Sequence, residues 1–89
     1  MNEIELQKEL NKFQEMMDLI ILSEFCLDYG QYTKLKSAIE QIKVACIKYD
    51  LLEFDEIENL SDLESKDYLE FTENLKTQIK NQFFESIKN

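Results

Sequence analysis

Phe25-Cys26-Leu27-Asp28-Tyr29-Gly30-Gln31-Tyr32-Thr33-Lys34-Leu35 holds the only glycine of an 89-residue chain that has no proline. A sheet protein of this length needs several tight turns, and those draw on Gly, Pro or Asn-Gly. One strong corner, with long unpunctuated stretches on either side, points to long helices instead. Gly30 suits the left-handed residue that ends a helix.

Outward from Gly30 the apolar spacing is helical. Upstream, Leu6, Leu10, Phe13, Met17, Ile20 and Leu27 recur at three and four residues, which predicts a helix from about Glu3 to Tyr29. Downstream, Leu35, Ala38, Ile39, Ile42, Ala45, Cys46 and Tyr49 form a second stripe. Its phase reaches on to Leu52, Ile57 and Leu60. The second helix therefore either continues to about Glu58 or gives way to a separate turn near Asp50 to Phe54. Lys43 and Lys48 suit the dipole better if it stops near Asp50. Ser61-Asp62-Leu63-Glu64 has the capping-box pattern and predicts the start of a third helix. Its stripe is Tyr68, Phe71, Leu75, Ile79 and Phe83, widened by Leu69 and Ile87. Short connections make sequential neighbours antiparallel. The expected fold is all-α: one domain spanning 1–89, an up-down-up antiparallel three-helix bundle, or four helices if the middle one breaks near residues 50–55.

Two helices carry more apolar residues than one stripe holds. At about 100° per residue, Leu19, Leu22, Cys26 and Tyr29, joined by Ile4, fall nearly opposite the main stripe of the first helix. Val44, Ile47, Leu51 and Phe54 do the same beyond the second. A helix apolar on both sides buries both. Either the second helix is sandwiched in a flat array, or Leu19, Leu22, Cys26, Val44, Ile47, Leu51 and Phe54 form an apolar interface for a second copy or another protein.

The charge is as uneven as the punctuation. The net charge is −9 and all ten bases are lysines. Between Asp50 and Glu73 lie ten of the nineteen acids, opposed only by Lys66. An acidic chain is repelled by phosphate backbones and anionic lipid, so direct nucleic-acid or membrane binding is not expected. One reading of the stretch is a solvated surface that keeps a small protein in solution. The other is a negative patch, Glu53, Asp55, Glu56, Glu58, Asp62, Asp67 and Glu70, that steers a basic partner or imitates nucleic acid. Phe54 and Tyr68 are then candidate apolar anchors at its rim. A calcium loop fits poorly, because residues 50–62 lack glycine and place Leu51, Leu52 and Phe54 where an ion loop is polar or turning.

Catalytic constellations are missing from the composition. Without histidine there is no Ser-His or Cys-His pair and no zinc site of the usual type. Without arginine there is no bidentate phosphate clamp. One glycine rules out phosphate-binding loops. No enzyme, cofactor or metal is therefore expected. Cys26 and Cys46 read as small buried side chains, since a hairpin at Gly30 offsets them by roughly 18 Å along the helix axes, too far to bridge. The amino terminus lacks a signal-peptide pattern, and Leu19-Ile20-Ile21-Leu22 is too short to span a bilayer, so a cytoplasmic protein is expected.

The function expected from these features is that of a non-enzymatic inhibitor or immunity-type regulator. It would bind a basic nuclease or nucleic-acid-binding enzyme through the acidic surface. The alternative is a homodimeric structural, chaperone or adaptor module working through the apolar faces.

Overall fold

A computed structural model describes residues 2–88, with the side chains of Phe54 and Ser61 outside that description. Four helices and no strand occur among the described residues: α1 (Glu3–Asp28), α2 (Tyr32–Tyr49), α3 (Phe54–Asn59) and α4 (Ser65–Lys88), with one 3₁₀ turn at Leu60–Asp62 between the last two.

α1 starts where Asn2 lends its side-chain oxygen to the Glu5 N–H at 2.8 Å, filling one of the orphan donors of the first turn. It ends at Gly30, whose φ is +68°. The Gln31 N–H reaches the Cys26 carbonyl at 2.8 Å and the Gly30 N–H reaches Leu27, the paired bonds of a Schellman stop. α2 ends the same way on a different residue. Asp50 takes the left-handed conformation (φ 54°), and the Leu51 N–H closes onto Cys46 at 3.0 Å. This break selects the four-helix form of the expected bundle. Leu51 lies just beyond it and is buried beside Cys46 in the core cluster, which ties the reversal to packing.

The chain then climbs back through α3 and the 3₁₀ turn, which packs on α2. Ile57 and Leu60 point into the core. α4 begins at Ser65, three residues later than an N-cap at Ser61 predicts. Its first described bond runs from the Tyr68 N–H to the Glu64 carbonyl, and Ser61 sits inside the 3₁₀ turn. Leu60 is the reason: it is 1 % exposed, and a helix started at Ser61 would leave no turn to seat it.

Partner residues fix the directions. Ser23 meets Tyr68, Glu24 meets Lys76, and Phe13 stacks near Phe83. So α4 runs antiparallel to α1. α2 also runs antiparallel to α1, because Glu15 pairs with Lys48 near the end of α2. The path is up, down, up through the short third arm, and down.

α1, not α2, is the sandwiched helix, since it packs against both α2 and α4. Its buried residues are Met16, Ile20, Ser23 and Cys26, and Leu27 packs partly against the core. Met16 and Ser23 lie between the two stripes read from the sequence, whereas Ile20 and Leu27 belong to the first and Cys26 to the second. The inner edges of the two apparent faces therefore join into one buried arc between α2 and α4, while Ile4, Leu22 and Tyr29 of the second face stay exposed. α2 buries Ala38, Ile39, Ile42, Ala45 and Cys46, and α4 buries Tyr68, Thr72, Leu75 and Ile79, close to the phases their spacing predicts.

Candidate functional site

The seven acids of the expected patch are all exposed. Glu53 precedes α3, and Asp55 and Glu56 occupy its first turn, where carboxylates suit the positive end of the dipole. Glu58 and Asp62 follow on α3 and the 3₁₀ turn. Asp67 and Glu70 come from the first turns of α4. At about 100° per residue Asp67 falls on the flank that also carries Phe71, Glu70 falls on the outward side of the helix next to Lys66, and Lys76 and Lys80 lie beyond Lys66. A shallow crevice lined by Asp55, Glu56, Asn59, Leu63 and Phe71 joins the third arm to α4. The fold thus gathers acids from two elements around a small apolar floor. None of the seven forms an ion pair among the described residues.

The rim differs from the sequence expectation. Tyr68 is buried, and its hydroxyl donates to Ser23 Oγ at 2.5 Å, so it offers no surface to a partner. Burial raises its pKa, and the bond to Ser23 offsets part of that rise. The Phe54 side chain, the other expected anchor, lies outside the described residues. Leu63 and Phe71 take the place assigned to them. Both were visible in the sequence, but neither could be placed beside Asp55 and Glu56 without knowing that the third arm folds back on α4.

The expected apolar interface splits. Cys26 and Leu51 are buried in the chain's own core and are unavailable to a partner. Leu19 packs partly against the core and shares a groove with Glu15, Gln41, Val44, Ala45 and Lys48 between α1 and α2. Leu22, Val44 and Ile47 are exposed. Phe54 again lies outside the described side chains. The spacing reading did not single out Ile21 or Phe25, which are exposed on α1 beside Leu22 and Tyr29. Their signal was the i, i+4 ladder Ile21–Phe25–Tyr29.

A buried polar seam between α1 and α4 was not legible either. Ser23 donates to the Ile20 carbonyl at 2.7 Å while accepting from Tyr68. Thr72 donates to Glu24 at 3.0 Å, and Lys76 bridges Glu24 at 2.9 Å and Glu73 at 2.8 Å. The bonds to Glu73 and then Glu24 hold the Lys76 ammonium above its ordinary pKa, and Lys76 holds Glu73 below the usual carboxylate value. Every buried side-chain polar atom described has a partner. A fully paired network of this kind positions helices rather than poising a proton for transfer.

Cys26 and Cys46 are free and buried. Desolvation, with a smaller push from Glu56, raises the Cys46 thiol to about 11, which makes it a poor nucleophile. No group of three or more possible metal ligands occurs among the described residues, and no described helix is long and apolar enough to cross a membrane. No family model matches the chain, and neither a curated protein nor a solved structure is similar to it.

Proposed function

We propose that this chain is a non-enzymatic interaction module of the cytoplasm that binds a basic protein through the acidic third arm and the head of α4. The supporting observation is that Glu53, Asp55, Glu56, Glu58, Asp62, Asp67 and Glu70 are exposed together without internal ion-pair partners. Carboxylates used for internal stability sit elsewhere, at Glu15, Glu24 and Glu73. A surface of this charge raises the association rate of a cationic partner and occupies a site shaped for phosphate. The action is then inhibition by occupancy, as for a regulator of a nuclease or nucleic-acid-binding enzyme. Leu63 and Phe71 supply the apolar contact that charge alone lacks.

The test is capture of proteins on the immobilised chain, eluted in steps of rising salt and identified by mass spectrometry. In parallel runs the variant with Glu53→Gln, Glu56→Gln, Asp62→Asn and Asp67→Asn. The expected result is a basic nucleic-acid enzyme released by modest salt and not retained by the variant. Equal retention by the variant, or a partner that survives high salt on both, would sink this reading.

A further inference from the structure

The crevice between the third arm and α4 holds about 300 Å³ and is lined by Asp55, Glu56, Asn59, Leu63 and Phe71. That lies at the lower limit of small-molecule pockets and leaves room for one long side chain. Its walls and its rim differ in chemistry. Leu63 and Phe71 are apolar walls, and Phe71 is anchored from behind by packing on the core. Asp55, Glu56 and Asn59 are exposed. They share one flank of α3, because helical positions three and four apart are neighbours. Asp67 stands one turn before Phe71 on α4. No lysine is among the lining residues, and Lys36 belongs to a second crevice that meets this one at Leu63. Asp55 and Glu56 form no ion pair among the described residues.

We propose, resting on the reading that the acidic arm binds a basic protein, that this crevice takes one arginine side chain of that partner. The carboxylates at the rim select a cation, and the apolar walls select a cation carried on a long stem. Arginine and lysine both meet that description, and the aromatic wall and the row of acceptors separate them. A guanidinium is planar and weakly hydrated, stacks on an aromatic ring, and presents its N–H donors as a fork. An ammonium is a compact, strongly hydrated point charge that leaves both the ring and the additional acceptors poorly used. In the crevice the arginine stem lies along Leu63 and the guanidinium lies against Phe71. Its N–H groups donate to Asp55, Glu56 and the Asn59 side-chain oxygen. Glu53, Glu58 and Asp62 attract the cations that flank it at longer range. Arginine is also the residue that grips phosphate bidentately. A nuclease that lends such an arginine to the crevice loses part of its hold on its own substrate.

Fluorescence anisotropy with two labelled peptides, identical except for arginine or lysine at every basic position, tests this. At one ionic strength the wild type should bind the arginine peptide about tenfold more tightly. Phe71→Leu keeps an apolar wall without a ring and should lose most of that preference, with helical circular dichroism as the check on folding. Glu56 is exposed, so Glu56→Gln keeps the fold, and it should lose the preference as well. Asp18→Asn removes one charge from α1, outside the crevice, and should weaken both peptides slightly and equally. A wild type that binds the two peptides alike, with affinity falling as salt rises, overturns the arginine site and leaves the acidic-arm reading standing. A preference that survives both Phe71→Leu and Glu56→Gln overturns the site too. Binding of neither peptide at low salt overturns the site and the acidic-arm reading together.

Discussion

α1 is held by two seams of different chemistry. Toward α2 the contact is mostly apolar and fine-grained, because Ala38, Ala45, Cys46 and Cys26 are small and let the helices approach, and its polar contacts are confined to Glu15 with Lys48 and Tyr49 at the end of α2. Toward α4 it is threaded with polar groups: Ser23, Glu24, Tyr68, Thr72 and Lys76. An apolar seam tolerates a shift of register at modest cost, since one methyl contact replaces another. A polar seam does not, because sliding α4 by one turn strands buried donors and acceptors. The α2 side contributes burial, and the α4 side fixes alignment in a helix joined to α1 only through a long detour.

The hardest blow to both seams is Ile20→Ala. Ile20 is fully buried in the shared core. Truncation removes apolar contact and leaves a cavity, for about 3–4 kcal/mol. Chemical denaturation should show a large drop in midpoint with little change in slope. A loss below 1 kcal/mol would mean the core collapses around the gap and α1 is loosely held.

High pH attacks the α2 side first. Cys46 carries a pKa raised from 9.0 to about 11 in the fold. A raised value means the folded state holds its proton longer, so this contribution is complete below pH 9 and lost as pH climbs through 11. The loss is on the order of 2–3 kcal/mol, with Tyr68 drawing stability the same way. Cys46→Ala should flatten the alkaline fall in a stability profile. An identical fall in variant and wild type would place the titration elsewhere.

The polar seam gives an asymmetric pair of smaller effects. Ser23→Ala leaves the buried Tyr68 hydroxyl without an acceptor and should cost about 2 kcal/mol. Tyr68→Phe leaves Ser23 still donating to the Ile20 carbonyl and should cost about 1 kcal/mol. The double variant should resemble Tyr68→Phe, since neither orphan remains. Equal single costs that simply add would show that the two hydroxyls do not act as a pair.

These effects mark what the chain discloses before it folds. The α2 side was legible, because spacing at Ala38, Ile42, Ala45 and Cys46 is a local property. Gly30 named its own turn. The core of α1 was harder. Met16 and Ser23 fall between two stripes, and only a helix flanked on both sides needs such a wide arc. Ser23, Glu24, Thr72 and Lys76 are ordinary surface residue types whose pairing depends on a partner about 50 positions away. The acidic surface was legible as composition and illegible as a place, because its crevice exists only once the third arm returns to α4. Ser61 misled for a local reason: its capping signal is real, but Leu60 beside it is claimed by the core.

The smallest effect concerns the two stops that bound α2. Gly30 and Asp50 close with the same pair of backbone bonds at φ 68° and 54°. Glycine adopts that conformation freely, whereas a side chain there crowds its own carbonyl. Asp50 also sets a carboxylate at the negative end of the α2 dipole. Asp50→Gly relieves both but frees the unfolded chain, so the net gain should be about 0.5–1 kcal/mol. Asp50→Asn removes only the charge and keeps a side chain that tolerates the left-handed region, so its gain should be smaller. Gly30→Ala should lose about 1 kcal/mol, because the strain of a side chain at this φ outweighs the reduced freedom of the unfolded chain. Thermal melts of the three variants separate backbone strain from charge. If Asp50→Asn gains as much as Asp50→Gly, charge alone governs the second stop. The break that makes this a four-arm bundle is then imposed by the burial of Leu51 rather than by the residue at the turn.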